Sequence, residues 1–345
     1  MRKLPICEFL ESEWRKYPLL DVRSPGEFEA GHIPGAFNLP LFSDEERAIV
    51  GTLYKQKGPE TAFQKGLELA GKKLPWYVEE ARHLAAGSKE IVVHCWRGGQ
   101  RSGSLAWLLG FAGFDVSVLE GGYKAYRRYV HAQFEERPFR GVVLGGATGS
   151  GKTAVLKTLR EIGEQVLDLE GLAHHKGSAF GALGETPQPG VEQFENNLFD
   201  AFQALDTHRR VWVENESRAI GRVHLPEELW HRLQKSPLIH LEVPFENRVS
   251  YLVEVYGTFP REGLEASFLR IERKLGGQHL KTALQALESG DYATAAAIAL
   301  KYYDKTYAYT TSKGDFDPII DLYDSSKDHK QTALRLKELA DEHGL

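Results

Sequence analysis

Short apolar, β-branched runs alternate with amphipathic stretches through most of the chain. Leu19-Leu20-Asp21-Val22-Arg23 reads as a buried strand ending in charge, and Ser24-Pro25-Gly26-Glu27-Phe28 then opens a helix, with Ser24 as N-cap and Pro25 at its first position. Gly31–Leu39 is a turn leading to a second short strand. Residues 43–71 and 76–86 carry helical periodicity, with Pro75 between them. Ile91–Cys95 predicts a strand, 102–113 an apolar helix ending at Gly113, Val116–Leu119 a strand closed by Gly121-Gly122, and Tyr123–Phe134 a helix. Beyond residue 138 the alternation resumes. Strands are predicted at Arg140–Leu144, Gln165–Glu170, Val211–Glu216, Pro237–Pro244 and Ile319–Asp321. Helices follow at Lys152 (apolar Val155, Leu156, Leu159), at Phe245, over 262–306 and over 328–342. Strands alternating with helices imply an α/β protein with mostly parallel sheets, whose sites lie at the carboxyl ends of strands.

At 345 residues two domains are the natural expectation, divided as 1–137 and 138–345, the second ending in a helical part. The composition is globular, 42% hydrophobic and 26% charged. No run of about 18 apolar residues exists, so no membrane span is expected, and the first residues lack the long apolar stretch of a signal peptide. Cys7 and Cys95 are the two cysteines. They make no disulfide framework and, with scattered histidines, no zinc-ligand spacing, which fits a reducing cytoplasm. The net charge is −5. Residues 1–137 hold 19 Lys+Arg against 18 Asp+Glu, and the remainder 24 against 30. This argues against a dedicated nucleic-acid scaffold but leaves room for a local basic face on an enzyme that handles RNA.

The strongest candidate chemistry lies at His94-Cys95-Trp96-Arg97-Gly98-Gly99-Gln100-Arg101-Ser102. A cysteine at the tip of a strand and the start of a helix meets backbone N–H groups and the positive end of the helix dipole. Arg97 and Arg101 add positive potential, so a nucleophilic thiolate is expected rather than an inert buried cysteine. A second motif follows Arg140–Leu144. Gly146-x4-Gly151-Lys152-Thr153, between a strand and a helix, is the P-loop pattern. Gly146, Gly149, Ser150 and Gly151 would wrap a phosphate, Lys152 would neutralise it, and Thr153 would meet Mg²⁺. Glu214 and Glu216, then Asp168 and Glu170, are the carboxylates at strand ends nearest such a metal, though each reads equally as a charged strand end. His174-His175-Lys176 is a basic loop suited to anion or RNA contact, and Arg273 and Lys274 are further candidate RNA contacts. Tyr302, Tyr303, Tyr307 and Tyr309 beside Lys305 could stack on bases, although packing into a core is the commoner fate of helical tyrosines.

The first half resembles the rhodanese domain through Asp21-Val22-Arg23-x3-Glu27-Phe28, Gly31-His32-Ile33-Pro34-Gly35-Ala36, the Cys95 loop and Gly121-Gly122-Tyr123. That resemblance implies a cysteine carrying sulfur or selenium. The spacing Cys95-x5-Arg101 after His94 is longer than in typical sulfurtransferases and is similar to rhodanese-related phosphatases. A longer ring of N–H donors suits a tetrahedral oxyanion. With the P-loop and Leu167-Asp168-Leu169-Glu170-Gly171-Leu172-Ala173-His174-His175, almost the whole chain resembles the tRNA 2-selenouridine synthase family. This resemblance implies replacement of sulfur by selenium at the wobble 2-thiouridine of tRNAs for Lys, Glu and Gln, with selenophosphate as donor. It also implies S-geranylation of the same base by geranyl diphosphate, and makes a selenophosphate supplier a partner. Two other readings follow from the motifs: a sulfurtransferase fused to a small-molecule P-loop kinase, and a phosphatase-like protein built on Cys95-x5-Arg101.

Overall fold

The structure, a computed structural model, describes residues 1–311 and 314–345, with side chains outside 306–313. The chain divides into two compact units, Met1–Gln133 with residues 195–197, and Phe134–Phe194 with Leu198–Leu345.

The first unit is built on a five-stranded parallel sheet. Its strands are β1 (Arg2–Leu4), β2 (Leu19–Asp21), β3 (Phe37–Asn38), β4 (Glu90–His94) and β5 (Asp115–Leu119), in the order β1-β5-β4-β2-β3. The central β4 is buried through Ile91, Val92 and Val93. Both faces of a parallel sheet are covered, so its strands read as continuous apolar runs. Leu105, Ala106 and Leu109 of the helix Gln100–Phe111 pack on β4 with Tyr77 and Ala81 of the helix Leu74–Ala85.

Two helix boundaries differ from the periodicity. The stretch 43–71 is two helices, Asp44–Lys57 and Pro59–Gly71, parted by Gly58 at φ +86°. Pro75 lies inside the first turn of the next helix, where its missing N–H costs nothing.

The second unit contains a parallel sheet of β6 (Arg140–Gly145), β7 (Gln165–Leu167), β8 (Arg210–Glu214), β11 (Leu238–Glu242) and β12 (Ile319–Tyr323), in the order β12-β11-β6-β8-β7. A small antiparallel pair, β9 (Ala219–Ile220) and β10 (Val223–His224), lies apart from it. Central β6 feeds the helix Lys152–Glu161, whose Val155, Leu156 and Leu159 pack on Val142, Leu144 and Trp212. The predicted helical stretch 262–306 is four helices, Arg261–Arg270, Glu272–Leu275, Gly277–Glu288 and Tyr292–Thr311. Together with Phe180 these helices bury a separate apolar cluster that includes Leu264, Phe268, Leu287 and Ala295. No helix among the described residues is long and apolar enough to cross a membrane.

Candidate functional site

Cys95 follows the last residue of β4, in a loop hung on the start of the helix Gly122–Glu136. Tyr123 N–H donates to the Cys95 carbonyl and Lys124 N–H to that of Trp96, both at 2.9 Å. The approach is close enough that only glycine fits at 122, where φ is +58° and a β-carbon would meet the Cys95 oxygen. This is the physical content of Gly121-Gly122-Tyr123 in the sequence.

Cys95 is only 3% exposed. Burial pushes the thiol up. The Ser102 hydroxyl, 3.3 Å from Sγ, and the backbone N–H groups of Ser102, Arg97 and Gly99 more than offset this, leaving the thiol below its ordinary range. The loop thus closes around the sulfur and supplies the stabilising donors itself.

The two arginines sit differently from one another. Arg97 is exposed. Arg101 is half-buried and donates to both oxygens of Glu27, at 2.6 and 3.2 Å, while the thiolate adds to the negative charge that it faces. Glu27 also accepts from Ser24 N–H at 3.1 Å, which ties it to the start of its own helix. Beneath the loop, the fully buried Asp21 and Arg23 form a bidentate pair, and the Arg23 guanidinium lies 3.9 Å from the Tyr123 ring centroid. His94 is fully buried and held neutral, since burial pulls it down, with its Nε2 3.7 Å from Asp21.

In the second unit, Gly146, Gly149, Ser150 and Gly151 form the turn between β6 and its helix, with Gly151 at φ +77°. Lys152 Nζ folds over this turn onto the Gly146 carbonyl at 2.7 Å, and Thr153 donates to Glu170 at 2.8 Å. β8 is paired with β6, with Glu214 in register with Leu144, so Glu214 emerges beside the turn. Glu170 N–H donates to Glu214 at 2.6 Å.

The four candidate acids therefore converge. Burial, then the charges of Glu170 and Asp168, raises Glu214 well above the usual carboxylate range. Burial and Glu170 push Glu216 up to about 8, against the pull of Lys152. Glu170 is raised too, mainly by burial. Glu214 Oε2 is buried without a hydrogen-bond partner among the described residues. Crowded, proton-retaining carboxylates with an orphaned oxygen beside a threonine hydroxyl fit a hard divalent cation.

Against this turn lies a partly open, largely apolar cavity. Thr148 of the turn lines one part of it, and Leu252, Tyr256, Phe268, Ala299 and Tyr303 line others. Arg248 braces the same corner, donating to the Thr148 carbonyl at 3.1 Å and to both oxygens of Asp304 at 2.8 and 2.9 Å. Neither the cavity nor this brace is visible as a motif, because their residues come from the turn, a loop at 178–180 and four separate helices.

A model of the tRNA 2-selenouridine synthase AAA domain matches residues 139–331, and a rhodanese-like domain model matches residues 8–129. The chain belongs to the tRNA 2-selenouridine synthase family. Proteins named tRNA 2-selenouridine synthase resemble it over most of their length. The one from a Sulfurovum species is 36% identical, covering 93% of each chain. That of Bdellovibrio bacteriovorus is 40% identical over 80% of this chain and 81% of its own. That of Marinobacter nauticus is 37% identical, with 85% and 88% covered.

Within this synthase-family chain the basic residues are dispersed. His174 ends the short helix Leu169–Ala173 in a left-handed conformation, its ring against the Pro187 carbonyl and the Thr186 hydroxyl. His175 is half-buried, and burial and Arg270 lower its pKa. Lys176 is paired with Glu185 at 2.9 Å and lies over the Tyr256 and Phe259 rings. Arg273 and Lys274 are exposed on the short helix Glu272–Leu275. Tyr302 and Tyr303 pack against the helical core, and Tyr303 accepts from Ala179 N–H, whereas Tyr307 and Tyr309 lie outside the described side chains. One cluster absent from the sequence reading is His240, Glu242 and Asp321, whose ligand atoms lie within 4.8 Å of one another because β11 and β12 pair in register.

Proposed function

We propose that this enzyme converts the wobble 2-thiouridine of tRNA to 2-selenouridine in two steps, each assigned to one unit. The P-loop unit geranylates the base, and the Cys95 unit delivers selenium from selenophosphate. The observation that carries this division is the apolar cavity sharing Thr148 with the phosphate-binding turn. A cradle for a diphosphate beside an apolar space suits a prenyl diphosphate better than a nucleotide.

In the first step the thiocarbonyl sulfur of the base attacks C1 of geranyl diphosphate. The S–C1 bond forms, the C1–O bond breaks and diphosphate leaves, while the base gives up its N3 proton. Lys152 and the N–H groups of residues 149–152 bind the diphosphate and stabilise the charge that grows on it. Thr153, Glu170 and Glu214 would hold a divalent cation, which would further neutralise the leaving diphosphate.

In the second step the selenium of selenophosphate attacks C2 of the geranylated base and geranylthiol leaves. Water then cleaves the P–Se bond, giving the selenouridine and phosphate. The N–H ring of residues 97–102 is suited to hold the tetrahedral donor, and Cys95 at its centre presents the selenium of that donor to C2. Arg101 is placed to complete the anion site once it exchanges Glu27 for the donor.

The test uses an anticodon stem–loop containing 2-thiouridine, incubated with geranyl diphosphate, selenophosphate or both, with nucleosides read by mass spectrometry. Geranylated base from wild type and from Cys95→Ala, but not from Lys152→Ala, supports the division. An unchanged nucleoside mass under every condition overturns the assignment, and a small-molecule sulfurtransferase becomes the better reading. Hydrolysis of an aryl phosphate that is lost in Cys95→Ser would favour the phosphatase reading.

A further inference from the structure

The helix Tyr292–Thr311 runs along the apolar cavity. Tyr292, Ala295, Ala296, Ala299 and Tyr303 all line it. They follow the spacing i, i+3, i+4, i+7, i+11, which is one face of a helix. The end of this row nearest the phosphate-binding turn is identified by its contacts. Tyr303 accepts from Ala179 N–H, and the adjacent Asp304 is bridged through Arg248 to Thr148. At 1.5 Å per residue, Ala299 lies about 6 Å, Ala296 roughly 10 Å and Tyr292 roughly 16 Å along the helix from Tyr303. Three small side chains therefore leave room in the middle of the row, and a large one stands at each end.

We infer that this face is the ruler that sets prenyl chain length, with Ala296 and Ala299 admitting two isoprene units and Tyr292 stopping a third. The inference rests on the geranylation reading above. An extended geranyl chain has seven successive C–C bonds from C1 and spans roughly 9 Å, reaching the level of Ala296. A farnesyl chain spans roughly 14 Å and runs into the Tyr292 ring, whereas dimethylallyl, at roughly 4 Å, stops short of Ala299. Phe268 and Leu287, both buried, line the cavity from neighbouring helices with apolar surface.

The experiment measures kcat/KM for dimethylallyl, geranyl and farnesyl diphosphate on the 2-thiouridine stem–loop, using the full chain. Wild type should prefer geranyl. Ala299→Leu should lower the geranyl value relative to dimethylallyl by about tenfold to a hundredfold, the scale of a methylene misfit in a pocket. Tyr292→Ala should raise the farnesyl value relative to geranyl by a similar factor. Inorganic pyrophosphate binding, measured by calorimetry, should match wild type in both, and if one variant fails to fold, the other decides. A wild-type order of preference in a variant that still binds pyrophosphate overturns the ruler while leaving geranylation intact. If wild type transfers no prenyl group, geranylation itself falls and the ruler falls with it.

Discussion

A β-carbon added to Gly122 would stand 2.2 Å from the carbonyl oxygen of Cys95. The reactive loop and the start of the Gly122–Glu136 helix are in backbone contact, so the loop's shape depends on a residue 27 positions away. Gly122→Ala must push that loop outward and also strain a left-handed backbone, at a cost of about 1–3 kcal/mol. The N–H ring around the sulfur should open and the thiol should return toward its ordinary range. Thiolate absorbance against pH reads this directly. Selenium transfer should fail in the same variant while S-geranylation persists.

The Ser102 hydroxyl lies 3.3 Å from the Cys95 sulfur and pulls the thiol down. Ser102→Ala removes a bond that favours the thiolate, so the thiol pKa should rise and the thiolate fraction at pH 7 should fall. Alkylation of Cys95 by iodoacetamide at pH 7 should slow several-fold and recover at high pH. An unchanged rate would mean that the backbone N–H groups alone set the thiol. Cys7 is exposed and would be replaced by Ser in both proteins for this measurement.

Asp21 and Arg23 are both fully buried and paired. Asp21→Ala leaves the guanidinium buried with one carbonyl, that of Gly31, as its remaining hydrogen-bonded partner. Loss of one member of a buried ion pair costs about 3–5 kcal/mol. Denaturant unfolding of the full chain should show this loss in the transition of the first unit.

Lys152 folds over the glycine-rich turn onto the Gly146 carbonyl, and Lys152→Ala should weaken pyrophosphate binding by about tenfold to a hundredfold, the value of a charge-assisted contact. Cys95→Ala should leave that affinity unchanged.

Glu216 is pushed up to about 8 by burial and Glu170. A carboxyl raised in the folded state destabilises the fold progressively as pH climbs from its unfolded value, near 4.3, toward 8, because the unfolded chain releases the proton first. Glu216→Gln removes this penalty. Its stability advantage over wild type should be small near pH 4.5, grow up to about pH 8 and then level off. Mg²⁺ binding by wild type at pH 7 should release protons, seen as a calorimetric heat that varies with the buffer's ionisation enthalpy, and Glu216→Gln should diminish that release.

Most of the strands were legible from the sequence because strands buried on both faces write themselves as continuous apolar runs, as Ile91–Val93 and Val142–Leu144 do. The glycine-rich turn was legible because its pattern is local: Gly146, Gly149, Gly151, Lys152 and Thr153 lie within a few residues of one another. Helix breaks were less so. Gly58, Gly276 and Gly290 interrupt stretches whose apolar spacing continues on both sides, so periodicity carried the 43–71 and 262–306 helices straight through them.

The residue types by themselves determined an α/β chain with a cysteine loop, a glycine-rich turn between a strand and a helix, and acids at strand ends. Tertiary structure decided which of those groups act on one another. Arg101 is directed to Glu27, 74 positions away, and not solely to the thiol beside it in sequence. Glu170 and Glu214 converge because β7 and β8 are neighbours in the sheet. The apolar cavity exists only where helices distant in sequence pack around it. Hydrogen-bonding and charge interactions reach only a few ångströms, so a sequence reveals the groups that can make them, while sheet order and helix packing determine the pairs.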